Sequence, residues 1–204
     1  RPALVDPDNA SGRIVFVIDR SASMSALDGA KPANASPVDP PVSRLEHAKQ
    51  SAIDTIRRLS RRSSGWSAWF SGPAPWQACV ITFASRAEVA ADFTADAARL
   101  IDAVNAITPT DQPGDLPAAW RLLDASLGIG SDEAPSAERP TVHLYSDGSF
   151  DPTRPAPPPR AADVQYHPCG GLAPADHDNL AIASMNARRD YDDPSMVRVF
   201  VRIQ

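Results

Sequence analysis

Asp19-Arg20-Ser21-Ala22-Ser23 sets one carboxylate and two hydroxyls at alternate positions directly after an apolar run. In an extended loop, alternate positions converge on one point, so three oxygen donors can meet a common guest. All three are hard oxygens, the ligand class of Mg2+, Mn2+ and Ca2+, and the lack of nitrogen or sulfur argues against zinc or copper. Mg2+ keeps several waters and takes only one or two carboxylates, so a site this poor in charge suffices and leaves a position open. The competing reading is an ordinary turn, because Asp and Ser are common turn residues.

A second carboxylate, Asp147, stands in Ser146-Asp147-Gly148 after another apolar run. In open α/β sheets, ligands bind beyond the carboxyl ends of strands, where the strand order reverses. If the two runs are neighbouring strands there, Asp19 and Asp147 reach the same crevice.

The elements that must position these groups can be read from periodicity. Ile14-Val15-Phe16-Val17-Ile18 is β-branched and wholly apolar, the pattern of a strand buried on both faces of a parallel sheet. Ser43-Arg44-Leu45-Glu46 is a capping box, followed by Leu45, Ala48, Ala52, Ile53, Ile56 and Leu59 on one face, which predicts a helix over 44–62. Residues 77–83 form a second buried strand, with 87–91 as a short edge companion. Thr94 is the expected N-cap of a helix near 95–106, and Asp115 caps another at about 115–127, with Pro117 in its first turn and Gly128 at its end. Strands at 141–145 and 162–167 follow. Strands alternating with helices imply a three-layer, doubly wound, Rossmann-like α/β fold with a mostly parallel sheet. The tail breaks the alternation: two strand-like runs, 180–188 and 196–203, flank the turn signal Asp190-Tyr191-Asp192-Asp193-Pro194, which reads as a C-terminal β-hairpin. The expected division is 1–175 for the α/β domain and 176–204 for the hairpin or the start of a β-domain.

Composition excludes several function classes. With 204 residues, 43% hydrophobic and 22% charged, the chain suits one globular domain with trimmings. Its 21 prolines crowd into Lys31–Pro41, Gly72–Trp76 and Asp151–Arg160, which read as rigid loops. A net charge of -5 offers no electrostatic footprint for nucleic acid, and the cluster Arg57, Arg58, Arg61 and Arg62 reads as a solvated helix end. Trp66, Trp69, Phe70 and Trp76 read as a loop folded over the flank of the sheet rather than an exposed patch. Cys79 and Cys169 fit neither a zinc spacing nor a disulfide framework. No run approaches the roughly 18 apolar residues that span a bilayer, and there is no signal-peptide pattern at the start. The abrupt start at Arg1 and the strand-like end at Gln204 fit a segment of a longer protein, so any membrane attachment would come from flanks outside this chain.

An enzyme built on the same carboxylates, a metal-assisted hydrolase or phosphotransferase, is the alternative from another class. Against it, the first loop lacks a second acidic residue, and neither a Gly-x-Ser-x-Gly elbow nor a phosphate loop is present. His47 on a helix, His143 within a strand, His167 at a strand end and His177 between two aspartates read as structural or solvated.

Val15-Phe16-Val17-Ile18-Asp19-Arg20-Ser21-Ala22-Ser23-Met24 resembles the first motif of von Willebrand factor A domains, and Leu144-Tyr145-Ser146-Asp147-Gly148 resembles their last metal-site motif. The two occur in order, each after a strand, over about residues 12–170. The resemblance implies a metal-ion-dependent adhesion site holding Mg2+, with Mn2+ or Ca2+ as substitutes. In it Asp19, Ser21 and Ser23 line the ion, Asp147 contributes directly or through water, and a loop threonine completes the set. It also implies a non-enzymatic role, in which a protein partner offers a Glu or Asp carboxylate as the remaining ligand. The usual Gly-Gly-Thr-Asp-Leu is matched by Gln112-Pro113-Gly114-Asp115-Leu116, so the threonine position holds Gly114. Thr110 is favoured as its substitute because a hydroxyl keeps the charge balance, and Asp111 is the rival. A structural domain with a degenerate site is the corresponding alternative function. The stretch 108–116 and the tail resemble bacterial membrane-anchored, cell-envelope members of the family related to aerotolerance-operon proteins.

Overall fold

The computed structural model of the chain describes residues 12–29, 40–63, 76–127, 139–150, 156–159, 162–170, 182–191, 193 and 195–203. Trp66, Trp69, Phe70 and His177, read above from sequence, lie outside them. The chain divides into two compact units, Arg1–Gly170 and Gly171–Gln204.

In the first unit the sheet is built on β1 (Gly12–Asp19), β2 (Trp76–Phe83), β3 (Ala87–Thr94), β4 (Thr141–Ser146) and β5 (Asp163–Pro168). Its order is β3-β2-β1-β4-β5. Strand β1 pairs in parallel with both β2 and β4, β4 in parallel with β5, and only β3 runs antiparallel, as an edge hairpin on β2. The chain winds outward from β1 in both directions, so the strand order reverses between β1 and β4, where a doubly wound sheet opens its crevice.

Among the described residues, three helices cover the sheet: α1 (Arg44–Ser63), α2 (Ala97–Asn105) and α3 (Leu116–Leu127). Because side chains alternate along a strand, Ile14, Phe16 and Ile18 point to the layer of Leu45, Ala48, Ala52 and Ile56 from α1 and Leu100 and Val104 from α2. Val15 and Val17 point to the opposite layer, against Leu116, Ala119, Trp120 and Leu123 of α3. Both faces of β1 are therefore buried, which is why its sequence shows no polar alternation. Cutting one of these side chains back, as in Ile56→Ala, costs about 2–5 kcal/mol through lost burial and the cavity left behind.

Local signals start the helices. Ser43 Oγ accepts the Glu46 N–H at 3.1 Å, as the capping pattern requires. For α2 the cap is Asp96 and not Thr94: Asp96 Oδ1 accepts the N–H groups of Ala98 and Arg99, at 2.9 and 3.3 Å. Thr94 ends β3, and its hydroxyl accepts the Asp96 N–H at 3.1 Å. The edge strand thus runs to Thr94, beyond the expected stop at residue 91, because its pairing with β2 continues past a register shift to Ala78↔Thr94. Asp115 caps α3 through the Ala118 N–H at 3.4 Å. Arg57, Arg58 and Arg61 are exposed at the end of α1, Cys79 is buried in β2, and Trp76 is buried as the first residue of that strand.

The second unit is an antiparallel hairpin of β6 (Ile182–Arg189) and β7 (Val197–Ile203). Its turn is closed by the Asp190 N–H on the Met196 carbonyl at 3.0 Å and by an Arg198–Asp190 ion pair at 2.6 Å.

Candidate metal site

Asp19 is the last residue of β1, only 1% exposed. Its Oδ1 accepts the Ser21 N–H at 2.9 Å, which folds the loop back over the strand end, and its Oδ2 accepts the Ser146 hydroxyl at 2.7 Å from the end of β4. Burial raises its pKa above the ordinary carboxylate value, and the hydrogen bonds from Ser21 and Ser146 oppose that rise. After Ser21 the chain enters a 3-10 turn, Ala22–Ser25, which brings the Ser21 and Ser23 hydroxyls to 3.3 Å from one another. Buried Met24 anchors this turn in the core. The carboxylate and the two hydroxyls of the first motif thus lie together at the end of β1.

Asp147 follows β4 with its side chain 3% exposed. Its Oδ1 accepts the Ser149 N–H at 3.0 Å. The turn requires Gly148, whose φ of 76° lies in the left-handed region and whose added Cβ would press on the Tyr166 hydroxyl at 3.0 Å. Asp147 Oδ2 accepts from Arg44 Nη1 at 2.6 Å. The same guanidinium grips both oxygens of Asp28, from Nε at 2.6 Å and Nη2 at 2.7 Å.

The loop between α2 and α3 is stitched to the end of β1. The Thr110 N–H and hydroxyl both donate to the Arg20 carbonyl, at 2.9 and 3.2 Å, and the Ala22 N–H donates to the Gln112 carbonyl at 2.9 Å. Thr110 is half-buried, whereas Asp111 is exposed. The position that faces the first motif is Gly114: a Cβ there would lie 3.5 Å from Ser21 Oγ and 3.7 Å from Asp19 Oδ2. This is ordinary contact distance, so a Cβ would fit at this position beside the carboxylate.

Sequence reasoning missed Ser146, Arg44 and Asp28 as parts of this site. Ser146 was only the residue before an aspartate, and Arg44 only the second residue of a capping box. A further pair also went unread: His143 Nδ1 lies 3.0 Å from His167 Nε2 on neighbouring strands, in a stack with Phe16 and Tyr145. Burial, then the His167 ring, lowers the His143 pKa to about 4.

A divalent ion fits what is present. Asp19 is a buried carboxylate with a raised pKa, Ser21 and Ser23 add hydroxyl oxygens beside it, and Gly114 places no side chain against Asp19 or Ser21. Among the described residues no group of three or more His, Cys, Asp or Glu side chains could hold a metal ion, here or elsewhere, so an ion here would rest on one carboxylate and hydroxyl oxygens.

Comparison with known proteins agrees with this architecture. No curated protein matches the chain in sequence. Several solved structures resemble it at low identity. Among them is BatB from Bacteroides thetaiotaomicron, 19% identical with a TM-score of 0.49, covering 93% of this chain and 79% of that one. An aerotolerance-related membrane protein from Bacteroides fragilis is 20% identical with a TM-score of 0.48, covering 93% and 80%. The three N-terminal domains of the type V pili tip protein Mfa5 from Porphyromonas gingivalis are 18% identical with a TM-score of 0.48. That match covers 69% of this chain and only 20% of the pilus protein, so the chain spans about a fifth of its length. Residues 14–149 match the family profile of the von Willebrand factor type A domain. That span runs from β1 through both aspartate motifs, about two thirds of the chain, and it places the chain in the von Willebrand factor type A domain family.

Proposed function

We propose that the chain is a protein-binding domain whose adhesion depends on a divalent cation, Mg2+ first, held by Asp19, Ser21 and Ser23. The observation that carries this reading is the buried Asp19 carboxylate, fixed by Ser21 and Ser146 beside the paired Ser21 and Ser23 hydroxyls, with Gly114 placing no side chain against it. When bound, the ion supplies a Lewis-acidic coordination position to an oxygen from outside. The protein's own part is orientation. Ser21 N–H and Ser146 Oγ each occupy one lone pair of Asp19 and fix its carboxylate, while the 3-10 turn sets the two serine hydroxyls side by side. Thr110 is the hydroxyl offered by the third loop, with its oxygen beside the Arg20 carbonyl. Asp147 acts from behind, as a carboxylate shared with Arg44.

A partner that offers a Glu or Asp side chain suits such a site, because one ionised aspartate leaves a dication with charge to be matched. Catalysis is not part of this reading, because the first loop carries no second acidic residue and the sequence has neither a Gly-x-Ser-x-Gly elbow nor a phosphate loop. The resemblance of 108–116 and the tail to bacterial cell-envelope members of the family supports a place at a bacterial cell envelope. No helix among the described residues is long and apolar enough to cross a membrane.

One observation favours a second reading, a structural domain with a degenerate site: the third loop presents glycine where a hydroxyl would face Asp19. Melting curves with Mg2+ or Mn2+ and with EDTA separate the two. An ion at about a hundredfold excess over Kd stabilises the fold by about 2.7 kcal/mol, and Asp19→Ala abolishes that gain. A wild type indifferent to both ions, or a variant that keeps the gain, sinks the metal reading. Proteins retained on the immobilised domain should elute with EDTA and be missing from an Asp19→Ala column.

A further inference from the structure

Arg44 is 7% exposed although it is the first residue of a helix, a position that normally faces water. Its contacts account for the burial. One guanidinium makes a two-pronged bond to Asp28, at 2.6 and 2.7 Å, and a third bond to Asp147 at 2.6 Å. Both carboxylates raise its pKa, Asp28 first. Its backbone N–H donates to the Ala26 carbonyl at 2.9 Å, so the residue is held from both ends. Gly170 leaves room for it: a Cβ there would sit 3.0 Å from Arg44 Nε. Such a planar fork shared by two carboxylates is a task for arginine rather than lysine.

We infer that Arg44 is a positioning residue that sets the charge of the metal site, by neutralising Asp147 and so leaving Asp19 as the carboxylate that answers the ion. The inference rests on the metal reading above. Asp19 accepts from Ser146, Asp147 is the next residue along the chain at the adjoining ends of β4 and β1, and the two carboxylates repel each other, so charge taken from one is charge taken from the whole site. With Asp147 committed to the guanidinium, a dication beside Asp19 stays under-compensated, and an acidic side chain from a partner makes up the difference. Asp28 controls how fully the guanidinium is spent on Asp147: its two-pronged bond draws charge away from the site.

The test is Mn2+ binding without any partner, by calorimetric titration of wild type, Arg44→Gln and Asp28→Asn. Removing the guanidinium restores a full negative charge at Asp147, so Arg44→Gln should bind Mn2+ about tenfold more tightly, and melt lower without metal but gain more on adding it. Asp28→Asn leaves the whole positive charge beside Asp147 and should bind Mn2+ several-fold more weakly. A purely structural Arg44 predicts instead that both variants lose stability and that neither binds more tightly. Affinity equal to or below wild type in Arg44→Gln, or undiminished in Asp28→Asn, overturns the inference while the metal reading stands. No Mn2+ binding by any of the three proteins overturns both. Should Arg44→Gln fail to fold, Arg44→Lys, which keeps the charge and loses the fork, takes its place beside Asp28→Asn. Lysine should hold Mn2+ affinity near the wild-type value, and a large gain with lysine counts against the role of charge.

Discussion

Ser146 Oγ donates to Asp19 Oδ2 at 2.7 Å and joins the last residue of β4 to the last residue of β1, across 127 positions of sequence. Both residues are buried, and Ser146 Oγ also accepts the Gly148 N–H at 3.1 Å, so one hydroxyl sets both the first carboxylate and the turn that carries Asp147. The two aspartate motifs are thereby one structural unit.

Ser146→Ala removes a hydrogen bond to a buried charged group and leaves the Gly148 N–H without that acceptor. It should cost about 1.5–3 kcal/mol in urea unfolding at neutral pH. Because the lost bond favoured ionised Asp19, the metal-free variant should recover part of this loss in mildly acidic buffer. Equal losses at both pH values would show that the bond does not govern the ionisation of Asp19.

Gly114→Thr should be tolerated and should bind Mg2+ more tightly. The added Cβ meets Ser21 and Asp19 at 3.5–3.7 Å, ordinary contact, which brings a threonine hydroxyl close to the carboxylate. A gain of about tenfold in titration is expected for one extra oxygen ligand held in place. The same titration on Thr110→Ala and Asp111→Asn ranks the native loop's donors. Thr110→Ala should weaken binding, and Asp111→Asn, at an exposed position, should leave it near wild type.

The histidine pair makes a pH prediction. Burial holds His143 at a pKa of about 4 in the folded chain, against about 6.5 when unfolded. The unfolded state therefore binds the proton more readily. Stability from the neutral ring is fully present above pH 6.5 and is lost as pH falls toward 4, at up to about 1.4 kcal/mol per pH unit. The pKa of His167 is also lowered by burial, which acts in the same direction. His143→Phe, which retains the stack on Phe16 and Tyr145, should flatten the acid limb of a stability-versus-pH curve. An unchanged limb would assign the acid sensitivity to other groups.

The sequence alone determined the local features: the doubly buried β1 run, the Ser43 cap, the helix faces, and the alternation of Asp19, Ser21 and Ser23 at a strand end. Each depends on residues a few positions apart, where periodicity and capping chemistry act. Even there one competition was misread, because Thr94 and Asp96 are both cap formers and only the extent of β3 decides which one begins α2. What only the tertiary structure decided was which distant groups meet. Parallel pairing of β1 with β4 brings Ser146 to Asp19 and His143 beside Phe16, and pairing of β4 with β5 brings His167 to His143. The seating of α1 carries Arg44 to Asp147 across 103 positions. Gly114, which in sequence was merely a missing threonine, is set beside Asp19 and Ser21 only once the Arg20 and Gln112 carbonyls have pinned its loop. Strand order and register are set by the packing of the whole core, and the charge of the site follows from them.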